Sequence, residues 1–474
     1  MRNALITALV AAAALLTPTP VPAAHAAPSP GSIDDYMARV LHDTGMPGVS
    51  VVVTEGDRVV HAAGYGEDSA GAPVTADTPM RIASVSKSFT AMAVMTLVED
   101  GRIALDEPVA DQLPGFTMAD PRFAGVTVRH LLNQTSGFSD TTIDVTGLET
   151  ATSLADYAGK LAEGALAADP GARYEYCNVN YDLAARLVEV ASGRTFADYL
   201  DERVFGPLGM TRSTVTAGDV RPADGFNSVF GVWVSRPELP GFLDSSGAGG
   251  VVTTAADLGR WLISQAGHGE QLVSPEGLRA MHTSSTVDDY AMGWIPGVGP
   301  DGVAELVHPG NLFTYSAVQA VLPDTGQGFA VLANNASLQD DTYDVLHGLI
   351  ALARGREPDP VGGGRQAFEL VLGLVAAAAL GLAVLGVRRS GRWARRRRGT
   401  PAWRVVARFV PLLAPAAVLA AYPDLVSVLM NGRAVTWAQL TYFAVPLTIT
   451  IVVVALAGAA VAVARLLRLR STED

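Results

Sequence analysis

Cysteine and lysine are nearly missing from this chain. Among 474 residues the one cysteine is Cys177, so no intrachain disulfide supports the fold. A chain this long buries enough apolar surface without one. Lysine occurs only at Lys87 and Lys160, against 32 arginines. No two of the eight histidines lie three or four residues apart, so helical metal-ligand spacing is missing. No G-x-S-x-G nucleophile elbow is present, which argues against a Ser-His-Asp triad of that kind. There is no internal repeat, and nothing points to a metal or a cofactor.

Charge divides what is present. Residues 27–365 carry 43 acidic and 20 basic side chains, a net of −23, which repels phosphate backbones and argues against nucleic acid as a partner. Residues 366–474 carry 4 acidic and 13 basic side chains and long apolar runs, which fit a lipid bilayer. Residues 1–26 combine a basic start, a short apolar stretch and Ala24-His25-Ala26, the pattern of a secretory signal peptide; an uncleaved anchor is the alternative. The expected organisation is a signal peptide (1–26), a globular domain (27–354), a linker (355–366) and a membrane region (367–474). Apolar stretches 370–387, 409–422 and 440–464 are its expected transmembrane helices. Arginines cluster at 388–398 and 465–470, and keeping both clusters inside with the globular domain outside takes three crossings. The expected location is the cell membrane, with the globular domain extracytoplasmic.

Periodicity predicts helices at 33–42, 84–100, 128–132, 154–165, 181–191 and 255–264. Strands are expected at 49–54, 58–63, 303–307, 316–322 and 329–333. With strands near both ends and helices between, the fold class is α/β (α+β): a mixed sheet flanked by helices, with an inserted helical subdomain.

Three short motifs carry chemistry. Ser84-Val85-Ser86-Lys87 puts a hydroxyl and an amine on one helix face, with the serine near the positive end of the helix dipole. Alone, the tetrapeptide is weak. The arginine bias strengthens it, because arginine stays protonated while a desolvated lysine can act as a base. Tyr176-Cys177-Asn178 offers a phenol for proton transfer and an amide to orient a lysine or a carbonyl. The competing reading is a packed tyrosine and a helix-capping asparagine. His308-Pro309-Gly310 ends a predicted strand, where a glycine admits close backbone approach.

Together, in this order, these motifs resemble the serine β-lactamase, penicillin-binding protein (DD-peptidase) and esterase superfamily, in its class C-like branch. The resemblance covers roughly residues 33–353. It includes R-I-A-S-V-S-K-S-F-T around Ser84, V-R-H-L-L-N-Q-T-S-G-F from Val128, Y-E-Y-C-N-V-N-Y from Tyr174 and S-G-A-G-G-V-V-T-T-A-A-D-L from Ser246. Gln134 stands where that family usually has histidine, a departure expected to be structural. The resemblance implies a β-lactamase/transpeptidase-like fold with an acyl-enzyme on Ser84 and proton traffic shared by Lys87 and Tyr176. It also implies substrate orientation by Asn178, and an oxyanion hole from the backbone amides of Ser84 and Asn311 beside His308 and Gly310. Many β-lactamases carry lysine where His308 stands. A largely neutral histidine holds a carboxylate less firmly, which ranks β-lactamase activity below DD-peptidase, D-amino-acid peptidase or esterase activity. The expected substrate is a small acyl ester, an amide or a cell-wall peptide. A ligand-binding pseudoenzyme coupled to the membrane region is the alternative. Cys177 reads either as a small buried side chain or as an oxidisable thiol.

Overall fold

A central sheet buried on both faces organises this computed structural model, which describes residues 30–216, 220–239, 245–300 and 302–470. The expected signal peptide lies outside the described residues. Six strands run in the order β2 (Arg58–Gly66), β1 (Gly48–Glu55), β10 (Gln327–Ala333), β9 (Ser316–Leu322), β8 (Ala304–Asn311) and β7 (Ile295–Val298). The sheet draws on both ends of the chain, as expected, and each of its pairings is antiparallel. Side chains alternate across a strand. Val49, Val51 and Val53 of β1, with Phe329 and Val331 of β10, pack against helices α1 (Pro30–Thr44) and α5 (Thr342–Ala353). Val52, Ala330 and Leu332 face the other way, into the larger core. That core holds α2 (Ser86–Glu99), α3 (Val179–Ser192) and α4 (Ala255–Gln265).

Helix α2 is buried on every face from Ser86 to Leu97, as a central helix must be. Phe89 stacks on Trp261 of α4 with ring centroids 4.0 Å apart. Trp261 Nε1 donates to Gln319 Oε1 (3.1 Å), and Gln319 Nε2 donates to Ser88 Oγ (3.0 Å), tying α4, β9 and α2 together. The helical subdomain lies between α2 and α3. Its helix Leu154–Lys160 is shorter than the expected 154–165, ending where the chain turns near Gly159 and Gly164. The predicted strand 303–307 is longer than expected and runs on through Pro309 to Asn311. Proline fits there because β7 pairs with β8 only up to Val307, leaving Pro309 on an edge. Two small sheets gave no periodic signal: β3 (Met80–Arg81) with β6 (Val252–Thr253), and β4 (Gly225–Val229) between β5 (Val232–Arg236) and β11 (Asn335–Ala336).

After α5 the chain reaches α6 (Gly364–Arg395), so the last residues of the expected linker are already helical. Helices α6 and α9 (Val445–Arg470) are long and apolar enough to cross a membrane. The expected stretch 409–422 is instead α7 (Val410–Ala420) followed by α8 (Tyr422–Leu429), bent by 65° where Pro423 begins the second helix. Counting that bent pair as one span gives three. The expected stretch 440–464 begins its long helix only at Val445, after a short turn of helix at Trp437–Leu440.

Candidate active site

Ser84 sits in a single 3-10 turn (Ala83–Val85) that leads into α2. Ala83, just before it, has φ +49°, a left-handed conformation that disfavours a side chain by about 1–2 kcal/mol. The fold therefore holds a strained corner at the serine. One turn on, Lys87 is fully buried. Its Nζ donates to Ser84 Oγ and Asn178 Oδ1, each at 3.0 Å, and to the carbonyl of Ala248 at 2.8 Å. The amine thus has three partners at hydrogen-bond distance. Asn178 stands at the start of α3 without capping it, because its side chain turns to Lys87 instead.

Tyr176 is half-buried beside them, its ring centroid 4.8 Å from Lys87 Nζ. Its phenol oxygen has no hydrogen-bond partner among the described residues and remains available to a substrate. The ring also meets Tyr290 edge-on at 6.2 Å and lies 6.5 Å from His308.

His308 is 1 % exposed. Nδ1 lies 2.7 Å from the Pro309 carbonyl, which only accepts, so Nδ1 carries the proton. Nε2 then accepts from the Tyr290 phenol at 3.0 Å. Burial, with the Lys87 charge adding to it, lowers the His308 pKa to about 3. Burial also drives the Tyr290 phenol well above its ordinary value, which keeps it a donor. His308 is thus neutral, with both nitrogens engaged inside the protein. Gly310, two residues on, passes the serine turn so closely that a Cβ there would lie 2.1 Å from the Ile82 carbonyl. Asn311 ends the strand, its side-chain amide 3.4 Å from Asp340.

The structure brings Ser84, Lys87, Tyr176, Asn178, His308 and Gly310 together from α2, the start of α3 and β8. Of the residues that support the site, Asp182 carried no sequence signal of its own. Asp182, fully buried with its pKa raised by burial, accepts from Ser246 Oγ (2.7 Å) and from the Ala248 amide (3.2 Å). That holds the carbonyl which Lys87 uses. Gln134, at φ +58°, accepts from the Cys177 amide at 3.0 Å and from Asn180 Nδ2 at 2.5 Å. It anchors the loop carrying Tyr176, so its departure from the family's histidine is structural. Cys177 is fully buried, lies 3.4 Å from Asp140, and has its thiol pushed well above the ordinary value by burial. It is a packed small side chain.

A serine hydrogen-bonded to a buried lysine, with an adjacent tyrosine and asparagine, marks a known class, and residues 33–353 match the beta-lactamase family. The chain belongs to the beta-lactamase family. It is accordingly a serine hydrolase. Penicillin-binding protein 4 of Amycolatopsis lactamdurans is 31 % identical to it over 347 residues, covering 66 % of this chain and 88 % of that protein. Among solved structures, the octameric penicillin-binding protein homologue from Pyrococcus abyssi superposes with a TM-score of 0.60 at 26 % identity. That match covers 70 % of this chain and 79 % of the other. The D-amino acid amidase from Ochrobactrum anthropi SV3 gives 0.55 at 26 % identity, covering 69 % and 95 %.

Proposed function

We propose that this beta-lactamase family member is a membrane-anchored, extracytoplasmic hydrolase that cleaves an ester, an amide or a D-amino-acid peptide through an acyl-enzyme on Ser84. The observation that carries the reading is the buried Lys87 amine held between Ser84 Oγ, Asn178 Oδ1 and the Ala248 carbonyl. Ser84 Oγ attacks the substrate carbonyl carbon. Its proton passes into the Lys87–Tyr176 pair and from there to the departing alcohol or amine. The backbone amides of Ser84 and Asn311 receive the oxyanion. Water, activated by Tyr176, then releases the acid and frees Ser84. Asn178 orients both Lys87 and the substrate. A D-amino acid amidase among the similar structures supports the amide and peptide substrates. The neutral, fully engaged His308 offers no charge to a β-lactam carboxylate, which ranks efficient β-lactamase action lower.

The anchoring reading rests on α6, α9 and the bent α7–α8 pair. With three spans and both arginine clusters inside, the connector between α8 and α9 lies on the same outer side as the catalytic domain.

The full chain in detergent, incubated with a fluorophosphonate and with a fluorescent penicillin, tests the chemistry. Intact mass should show one adduct per chain, absent from Ser84→Ala. A long-lived penicillin adduct marks a penicillin-binding peptidase and a rapidly turned-over one a β-lactamase. Labelling by the fluorophosphonate alone marks an esterase or amidase. Folded protein that reacts with neither probe sinks the hydrolase reading in favour of a ligand-binding pseudoenzyme.

A further inference from the structure

The connector between α8 and α9 reaches both walls of the Ser84 cleft. On the Tyr176 side, Arg433 donates from Nη1 to the Tyr176 carbonyl at 3.2 Å and pairs through Nε with Asp140 at 3.0 Å. Its guanidinium carbon lies 5.3 Å from the Tyr176 ring centroid. The Ala434 amide donates to the same Asp140 at 3.1 Å, fixing the chain on either side of the arginine's contact. On the opposite side, Tyr442 meets Phe313, which follows Asn311, at 6.0 Å edge-on. The Arg236 guanidinium carbon lies 3.7 Å from the Tyr442 ring centroid, and the Tyr442 hydroxyl donates to the Pro237 carbonyl at 3.1 Å.

Three facts single out Arg433. Of the 13 basic residues beyond residue 365, twelve lie at 388–408 or 465–470, and Arg433 alone lies between. On the three-span arrangement it is a cation on the outer side, against the usual distribution of positive charge. Its side chain remains 29 % exposed, and Nη2 has no hydrogen-bond partner among the described residues. His308, meanwhile, leaves the strand side of the cleft without a charge, and Lys87 makes its three polar contacts inside the protein.

We propose that Arg433, brought to the cleft by the membrane region, is a specificity-determining residue of the Ser84 site that recognises an anionic group on the acyl part of the substrate. Nε and Nη1 hold the guanidinium in place against Asp140 and the Tyr176 carbonyl, and Nη2 is left to donate to a carboxylate. This rests on the hydrolase reading above. It adds that the catalytic domain alone lacks part of its substrate site.

The test uses the full chain in nanodiscs and a matched pair of esters, the p-nitrophenyl monoester of glutaric acid and its methyl-capped form, which differ in one charge. The wild type should prefer the anionic ester in kcat/KM. Arg433→Gln should lower the anionic-to-neutral ratio about tenfold, mostly through KM, and Arg433→Lys should restore part of it. A wild type with no such preference, or a ratio that survives Arg433→Gln, overturns the proposal. So does equal loss on both esters, which would mark the arginine as a structural prop. Binding of the anionic ester to Ser84→Ala, with and without Arg433→Gln, is measured by calorimetry in parallel. If the wild type cleaves neither ester, the binding pair alone decides the role of Arg433, where unchanged affinity overturns it, while the fluorophosphonate and penicillin adducts decide the hydrolase reading.

Discussion

At the scale of single residues, the proposed acyl transfer depends on an amine that arginine cannot replace. Lys87 fills a fully buried position among three acceptors at 2.8–3.0 Å. A guanidinium is larger, presents a planar fork and does not give up its proton. Lys87→Arg should therefore lower the rate of Ser84 acylation by about 10³-fold although the charge is kept. Lys160→Arg is the control, because Lys160 is partly exposed and only 4.0 Å from Asp156. It should acylate at the wild-type rate. Stopped-flow labelling by the fluorophosphonate, with circular dichroism as the fold check, reads both. Equal rates in the two variants would remove Lys87 from the proton traffic and make its presence in an arginine-rich chain a coincidence.

At the scale of elements, the site is a meeting of one strand edge with one helix start. The β8 edge is open past Val307, where β7 stops, and it runs directly along the serine turn. A methyl group at residue 310 would push against the Ile82 carbonyl and approach the Ala83 Cβ at 3.1 Å, and backbone cannot swing away as a flexible side chain does. Gly310→Ala should destabilise the domain by about 2 kcal/mol, as overpacking does, and slow acylation more than the stability loss explains. Urea unfolding set beside the acylation rate separates the two effects; a stable variant acylated at the wild-type rate would show that β8 does not set the corner at Ser84. Such elements differ in how far the sequence exposed them. Strands β1, β9 and β10 were legible because short apolar runs, valine-rich in β1, stand between turn residues, as strands buried on both faces do. Helix α2 was legible because it runs without glycine or proline until Gly101. Pairing β3 with β6 rests on two residues each, too short for any period, and β5 is largely exposed and so lacks an apolar stripe. The motif residues were legible only as a set. Asp182 was not, because it acts through contacts distant in sequence, 66 residues in the case of the Ala248 amide, and Gln134 stood out only as a departure from the family phrase.

At the scale of the whole molecule, catalytic domain and apolar helices join through a buried ion pair. Arg365 and Glu369, at the start of α6, are both about 95 % or more buried and lie 3.6 Å apart. Arg365 donates to Ser228 Oγ and to the Thr44 carbonyl, each at 2.6 Å, and its guanidinium carbon lies 4.4 Å from the Trp233 ring centroid. Glu369 accepts from Ser228 Oγ at 2.8 Å and from the Gly231 amide at 2.5 Å. The first apolar helix thus leaves the domain in a set direction, which is what allows the distant α8–α9 connector to meet the cleft. Removing one partner strands the other charge away from water, whereas removing both does not. Arg365→Ala should destabilise the domain by about 3–5 kcal/mol, and Arg365→Met combined with Glu369→Leu by clearly less. Thermal unfolding of the full chain in one detergent compares them, with the anionic-to-neutral ester ratio measured on the same samples. If the double variant stays folded but swings α6 free, the ratio should fall while Ser84 still acylates, because Arg433 no longer reaches Tyr176. A ratio unchanged in a double variant whose α6 has come free would mean that the connector binds the cleft without help from this joint.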